Sequence, residues 1–236
     1  MYTAFFGLRE KPFNLSPSPR FLYLSEGHKE ALSLLTYGVQ ERKGFILLTG
    51  EVGSGKTTVI QALLRNLDKS VKYIYLSNPS LSPENFLEYL SYSVFRKKIR
   101  FKSKADFLLQ FESFLKLCLQ HQRIFILIID EAQKLSFEVL EEIRLLSNME
   151  TAEEKLINIF LIGQPELNHN LSDPKARAIL QRISIRYHLP PLGLRETEEY
   201  IETRLNVAGS SGRGGIFSEG AIKAIYRYSQ GYPRAD

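Results

Sequence analysis

Apolar residues along the chain form two kinds of run, short continuous stretches and longer stretches with apolar positions three and four apart. Phe45-Ile46-Leu47-Leu48-Thr49 reads as a short buried strand, after which Val59, Ile60, Leu63, Leu64 and Leu67 share one helix face. Val71 to Ser77 reads as a second strand. Ile124 to Ile129 is apolar throughout, as a strand buried on both faces should be. Leu156 to Gly163 gives another central strand and Ile185 to Leu189 a last one, closed by Pro190-Pro191.

Helical spacing fills the intervals. Ser25 caps a helix that buries Ala31, Leu34, Leu35 and Val39 before Gly44 breaks it. Ser82-Pro83-Glu84 starts another, with Phe86, Leu87, Leu90 and Val94 inward. A longer helix from Ser103 carries Phe107, Leu108, Phe111, Leu115, Cys118 and Leu119, and one from about Ser136 to Met149 buries Val139, Leu140, Ile143 and Leu146. Pro174 to Ile183 reads as a further helix. From Arg195 the pattern changes to two amphipathic helices, Thr197 to Ala208 and Ser218 to Gln230, joined by a flexible glycine-rich loop over 209–215. Five strands alternating with helices predict an α/β fold: a parallel, helix-flanked sheet in residues 1–194 and a partial helical lid in 195–236. Residues 1–24 are rich in aromatics and proline without periodicity, and read as an extended arm packed on the domain.

Composition narrows the class. The 236 residues are 44% hydrophobic and 24% charged, an ordinary globular balance that excludes a disordered chain. The lone Cys118 cannot form an internal disulfide and reads as a small core residue; no spacing of Cys or His suggests a metal site. The start lacks a signal peptide's basic region and cleavage site, and the longest apolar run is far too short to span a bilayer, so the expectation is a soluble, cytoplasmic chain. The net charge of +5 is local: Arg96, Lys97, Lys98, Arg100, Lys102 and Lys104 lie within nine residues, and without them the remainder is near −1. That run reads as an exposed bend, either plain solvated surface or a loop that binds anionic lipid or DNA.

Gly50 to Thr57 (GEVGSGKT) fits G-x-x-x-x-G-K-[ST] in full, between a strand and a helix. In that setting the backbone N–H groups of Gly50, Glu51, Val52, Gly53, Ser54, Gly55, Lys56, Thr57 and Thr58 curl around phosphates. Lys56 reaches the β/γ-phosphates and Thr57 offers its hydroxyl to Mg²⁺. The expected ligand is ATP with Mg²⁺. Ile124 to Ile129 ends in Asp130 and Glu131, and ligands of open parallel sheets sit at the carboxyl ends of the strands. This placement makes Asp130 a metal ligand and Glu131 the base or positioning group for attacking water. Gln164, at the end of the next strand, is either a γ-phosphate sensor or a solvated turn residue. Arg177, Arg182 and Arg186 carry forks suited to a phosphoryl group, although most such arginines are solvated or ion-paired. Aromatics of the arm either fill the core edge or touch a base.

With both nucleotide motifs placed, the sequence resembles AAA+ ATPases, and more closely the ExeA/GspA type associated with bacterial general secretion. The resemblance covers essentially the whole chain. It rests on Tyr2 to Pro12, Phe45 to Thr58, Ile128 to Gln133 (IIDEAQ), Leu145 to Thr151, Gly163 to Leu167, Gln181-Arg182-Ile183 with Tyr187 to Pro190, and Gly231 to Arg234. It implies a sensor-1 role for Gln164, an arginine finger at Arg182 and a sensor-2 role for Arg234. It also implies self-association into a ring or filament, secretion or envelope proteins as partners, and a native chain that continues from the lid into a membrane-spanning segment and a periplasmic region. The function expected is an ATP-hydrolysing module that drives assembly or remodelling of a secretion-associated envelope complex. Two alternatives stand beside it: a DNA-binding AAA+ regulator of transposition, and an ATP-gated scaffold with little turnover.

Overall fold

A computed structural model describes residues 2–14, 19–96, 101–210 and 215–233. Five strands, β1 Phe45–Gly50, β2 Val71–Leu76, β3 Ile124–Ile129, β4 Asn158–Gly163 and β5 Ile183–Leu189, form one sheet in the order β2-β3-β4-β1-β5. Every pairing is parallel. Ten α-helices among the described residues accompany them: α1 Tyr2–Phe5, α2 Glu26–Gln40, α3 Lys56–Asn66, α4 Pro83–Phe95, α5 Lys104–Gln120, α6 Phe137–Leu146, α7 Glu166–Ser172, α8 Arg177–Leu180, α9 Leu194–Val207 and α10 Glu219–Ser229.

Side chains alternate between the sheet's two faces, and each face builds its own core. Ile46, Leu48, Ile126, Ile128, Phe160 and Ile162 pack against Val39 and Leu35 of α2 and Val59, Ile60 and Leu63 of α3. Phe45, Leu47, Leu127, Ile129, Ile159 and Leu161 pack on the other side against α4, α5 and α6 through Phe86, Leu90, Phe111, Leu115, Val139 and Ile143. Removing one such fully buried Leu or Phe from water contributes roughly 1.5–3 kcal/mol. A third, smaller cluster joins Leu8 and Phe21 of the N-terminal arm to Ile201 and Leu205 of α9, Ala208 just after it, and Ile222 of α10. The aromatic arm therefore packs on the last two helices. It is not wholly extended, because α1 forms a single helical turn.

Ser25 and Ser82 cap their helices as expected, and Ser103, Ser136 and Ser218, where the pattern starts helices, do the same; each accepts a backbone N–H three residues on. Several elements differ from the sequence pattern: α9 begins at Leu194, ahead of Thr197, and α6 ends at Leu146, short of Met149. β4 starts at Asn158, whose side-chain oxygen accepts the Gly44 N–H at 3.0 Å; Leu156 and Ile157 are buried ahead of it. The expected helix over Pro174 to Ile183 is a 3₁₀ turn, Pro174–Ala176, followed by the one-turn α8, and β5 takes over at Ile183. α7 is an additional helix that the spacing did not predict.

Of the basic run, residues 97–100 lie outside the described residues. Arg96 ends α4 in a left-handed conformation and is exposed, and Lys102 is exposed. Lys104 opens α5 and reaches the buried Glu142 of α6 at 2.6 Å, so it belongs to a helix contact and not to a free loop. Phe101 is half-buried between the rings of Phe95 and Phe107. Cys118 is buried, and burial pushes its thiol pKa up.

Candidate active site

β1 delivers the glycine loop and α3 carries it away. Gly53 and Gly55 take φ of +80° and +96°, a left-handed backbone that side chains other than glycine's rarely adopt, and this lets the loop fold back over the start of α3. Gly55 is the N-cap of α3 and brings no side chain to it. The first N–H groups of any α-helix lack intrahelical partners, so the N-terminus of α3 presents open donors and the positive end of its dipole to the loop's hollow. The buried Ser54 Oγ has no partner among the described residues and lies where a Cβ on Gly50 would come within 2.7 Å of it.

Lys56 is only 7% exposed, and its ammonium donates to the carbonyls of Gly50 at 2.7 Å and Glu51 at 2.9 Å. Burial lowers its pKa from the ordinary lysine value, against the pull of Glu131, Asp130, Glu51 and Glu166. Such a cation, held by neutral carbonyls in a half-dry hollow, is short of an anion.

The parallel register brings the acidic pair to the same edge. Thr49 pairs with Gly163 and Ile129 with Leu161, so the residues that follow β3 and β4 stand beside the loop. Asp130, 6% exposed, faces Thr57 across 3.4 Å from Oδ2 to the hydroxyl. The same Oδ2 accepts the Tyr75 hydroxyl at 2.6 Å, and Oδ1 accepts the Glu131 N–H at 2.9 Å. Burial and Asp130 together push the Tyr75 pKa up, which keeps the phenol a donor. Glu131 is half-buried with φ of 54°, an uncommon backbone for a side-chain-bearing residue. Its Oε2 accepts the Gln133 amide at 2.8 Å and has the Lys134 ammonium at 3.4 Å. Gln133 Oε1 in turn accepts the Gln164 backbone N–H at 3.2 Å, and the Gln133 carbonyl accepts the Asn170 amide at 3.0 Å.

The loop residues Gly50 to Thr58, Asp130, Glu131 and Gln164 thus gather at one edge of the sheet. Arg182 does not join them. It precedes β5, whose Ile183 pairs with Phe45, whereas Gly50 pairs with Leu189 at the other end. Five residues of strand separate those ends by about 16 Å. Its guanidinium instead donates to Ser147 Oγ at 3.4 Å, and Arg186 donates to the Leu180 carbonyl at 2.7 Å. Arg234 lies outside the described residues.

Three residues at the site carry contacts that the sequence reading assigned to none of them. Tyr75 and Gln133 are two, and the third is His28, whose Nε2 lies 3.0 Å from the Ser54 carbonyl of the loop. Tyr75 and His28 act across 55 and 26 residues of chain, with no local signal. Between arm and lid lies an apolar cavity of about 290 Å³ lined by Phe13, Leu192, Tyr200, Ile201, Phe217 and Tyr232 among others.

No helix among the described residues is long and apolar enough to cross a membrane, and no cluster of three or more His, Cys, Asp or Glu among them could hold a metal by itself. The chain is similar to several known proteins. A model of the AAA domain family matches residues 39–171. General secretion pathway protein A of Aeromonas hydrophila is 44% identical over 237 residues, covering 99% of this chain and 42% of that protein, so the chain spans less than half of that relative's length. Among solved structures, Cdc6p of Pyrobaculum aerophilum superposes with a TM-score of 0.67 at 18% identity, over 92% of this chain and 58% of that one. A Walker-type ATPase of Pyrococcus abyssi gives 0.64 at 17% identity, over 94% and 68%. At such identities the two structures show a shared fold alone. The family model over more than half of the chain, together with the motifs and the sheet order, shows that this chain belongs to the AAA domain family of P-loop ATPases, and in sequence it is similar to general secretion pathway protein A.

Proposed function

We propose that this chain binds ATP with Mg²⁺ over Gly50 to Thr58 and hydrolyses it, and that self-association completes the site. The observation that carries this reading is the convergence of Lys56, Thr57, Asp130, Glu131 and Gln164 on the uncapped N-terminus of α3. The donor set fits the ligands. Open helix N–H groups and a buried lysine suit a polyphosphate, and a hydroxyl facing one carboxylate suits Mg²⁺, which takes few protein oxygens and completes its shell with phosphate and water. The apolar cavity between arm and lid, with Phe13 on its wall, is the seat this reading assigns to the base.

Each residue then has a task. Lys56 would exchange its two carbonyl partners for the terminal phosphates; Thr57 and Asp130 would hold Mg²⁺; Tyr75 and the Glu131 N–H fix the Asp130 carboxylate. Bound Mg²⁺ would neutralise charge on the β- and γ-phosphates. Glu131 orients the attacking water and accepts its proton, and Gln164 senses the terminal phosphate. Arg182 lies across the sheet from its own loop, so it serves a neighbouring subunit's site, in a ring or filament. A finger supplied in this way is worth roughly 10³ to 10⁵ in rate. The work proposed, from the family resemblance and a relative named for a general secretion pathway, is assembly or remodelling of a secretion-associated envelope complex. Arg234 keeps its sensor-2 assignment from the family resemblance.

Phosphate release tests the oligomeric part. Specific activity should rise with protein concentration, vanish in Arg182→Ala and in Lys56→Ala separately, and recover in part when the two variants are mixed. Mixtures that stay inactive at all ratios would remove Arg182 from the neighbour's site.

A further inference from the structure

His28 is nearly fully buried in the first turn of α2, outside the loop, and the mechanism above does not use it. Its Nε2 lies 3.0 Å from the Ser54 carbonyl and its Nδ1 2.6 Å from Ser25 Oγ. A carbonyl can only accept, so Nε2 carries the hydrogen; the neutral ring then accepts at Nδ1 from the Ser25 hydroxyl. Ser25 Oγ also accepts the His28 backbone N–H at 3.3 Å, so both ring nitrogens and the serine hydroxyl are satisfied. The imidazole fills the space beside Gly55, where an added Cβ would run into Nε2.

We propose that His28 is a positioning residue of the phosphate loop. Every peptide bond in the described chain is trans, so the carbonyl and N–H of one peptide unit point in opposite directions. By holding the Ser54 carbonyl on the outside, His28 aims the Gly55 N–H of the same unit away from itself, toward the hollow of the loop. The first turn of α2 is itself fixed from the far side. The Glu26 N–H donates to Glu196 of α9 at 3.1 Å, Tyr23 donates to Glu199 at 2.9 Å, and Gly27 lies against Pro190 with no room to spare. The loop is thus braced against the base of the lid through one imidazole. This inference rests on the nucleotide reading of the site.

The test measures equilibrium binding of a fluorescent ADP analogue to the wild type, His28→Leu and His28→Gln. Losing the bond should weaken binding about threefold to tenfold in His28→Leu, the effect of one buried hydrogen bond. Gln places an amide N–H near the Nε2 position and should restore most of it. In parallel, the ring nitrogens of His28 in ¹⁵N-histidine-labelled wild type should show the Nε2–H tautomer and shift on addition of ADP, whereas those of His121 and His169 stay in place. Unchanged binding in His28→Leu, equal losses in Leu and Gln, or a His28 signal that is Nδ1–H or indifferent to ADP would each overturn the proposal and leave the nucleotide reading standing. If His28→Leu fails to fold, the wild-type spectrum decides. Failure of the wild type to bind the analogue would overturn both.

Discussion

Gln133 donates its side-chain amide to the Glu131 carboxylate at 2.8 Å, and the other end of that amide accepts the backbone N–H of Gln164 at 3.2 Å. One side chain therefore ties the carboxylate that follows β3 to the residue that follows β4. Gly163 makes room for it, since a Cβ there would lie 2.8 Å from Gln133 Oε1.

In the proposed mechanism this tie gives Gln133 the task of supporting Glu131. Gln133→Ala should leave ADP affinity within about twofold and cut turnover about tenfold or more, the scale of a lost hydrogen bond to a charged group. Steady-state phosphate release beside equilibrium binding checks this. Turnover unchanged in the variant would show that Glu131 needs no such support.

In the proposed reading, Tyr75 bears on Mg²⁺ binding. Its hydroxyl at 2.6 Å from Asp130 Oδ2 orients the carboxylate that faces Thr57. Partners that orient a metal ligand typically contribute about 10- to 100-fold to metal affinity. Tyr75→Phe should raise the Mg²⁺ concentration needed for half-maximal nucleotide-dependent thermal stabilisation, with ADP binding in EDTA unaffected. Identical Mg²⁺ titrations would place Tyr75 in the packing alone.

Acidification addresses His28. Burial lowers its pKa from the ordinary value of 6.5, outweighing the Ser54 carbonyl and Glu196, both of which raise it. The folded protein thus takes up a proton there less readily than the unfolded chain. The stability this contributes is complete above about pH 6.5 and is lost as pH falls through the lower folded value. Between pH 7 and 5 the thermal midpoint of the wild type should fall more steeply than that of His28→Gln. Parallel curves would contradict a neutral, buried ring.

Much of this was legible in the chain. Continuous apolar runs marked the central strands β1, β3 and β4, because a parallel sheet covered on both faces leaves no polar side there, whereas the edge strands β2 and β5 carry Lys72, Arg186 and His188; Ser25 and Ser82 marked two helix starts as caps. The loop and acidic pair followed from their spacing, and parallel strands carried Asp130, Glu131 and Gln164 to one edge. α7 was not legible, since seven residues with only Leu167 and Leu171 buried show too little periodicity. Pro174 to Ile183 looked like one helix because Ala176, Ile179 and Leu180 have helical spacing; the pull of β1 on Ile183 ended it early. The contacts of His28 and Tyr75, and the left-handed turn at Glu131, arise from tertiary neighbours that no local pattern encodes.

In the proposed mechanism Glu131 acts on water while the glycine loop holds the nucleotide. Glu131→Gln removes the base and keeps the size and shape of the side chain. Mg²⁺-ATP affinity should stay within about threefold of the wild type, and phosphate release should fall by about two orders of magnitude or more, the usual contribution of a positioned general base. Phosphate release at the wild-type rate from Glu131→Gln, with binding intact, would contradict it.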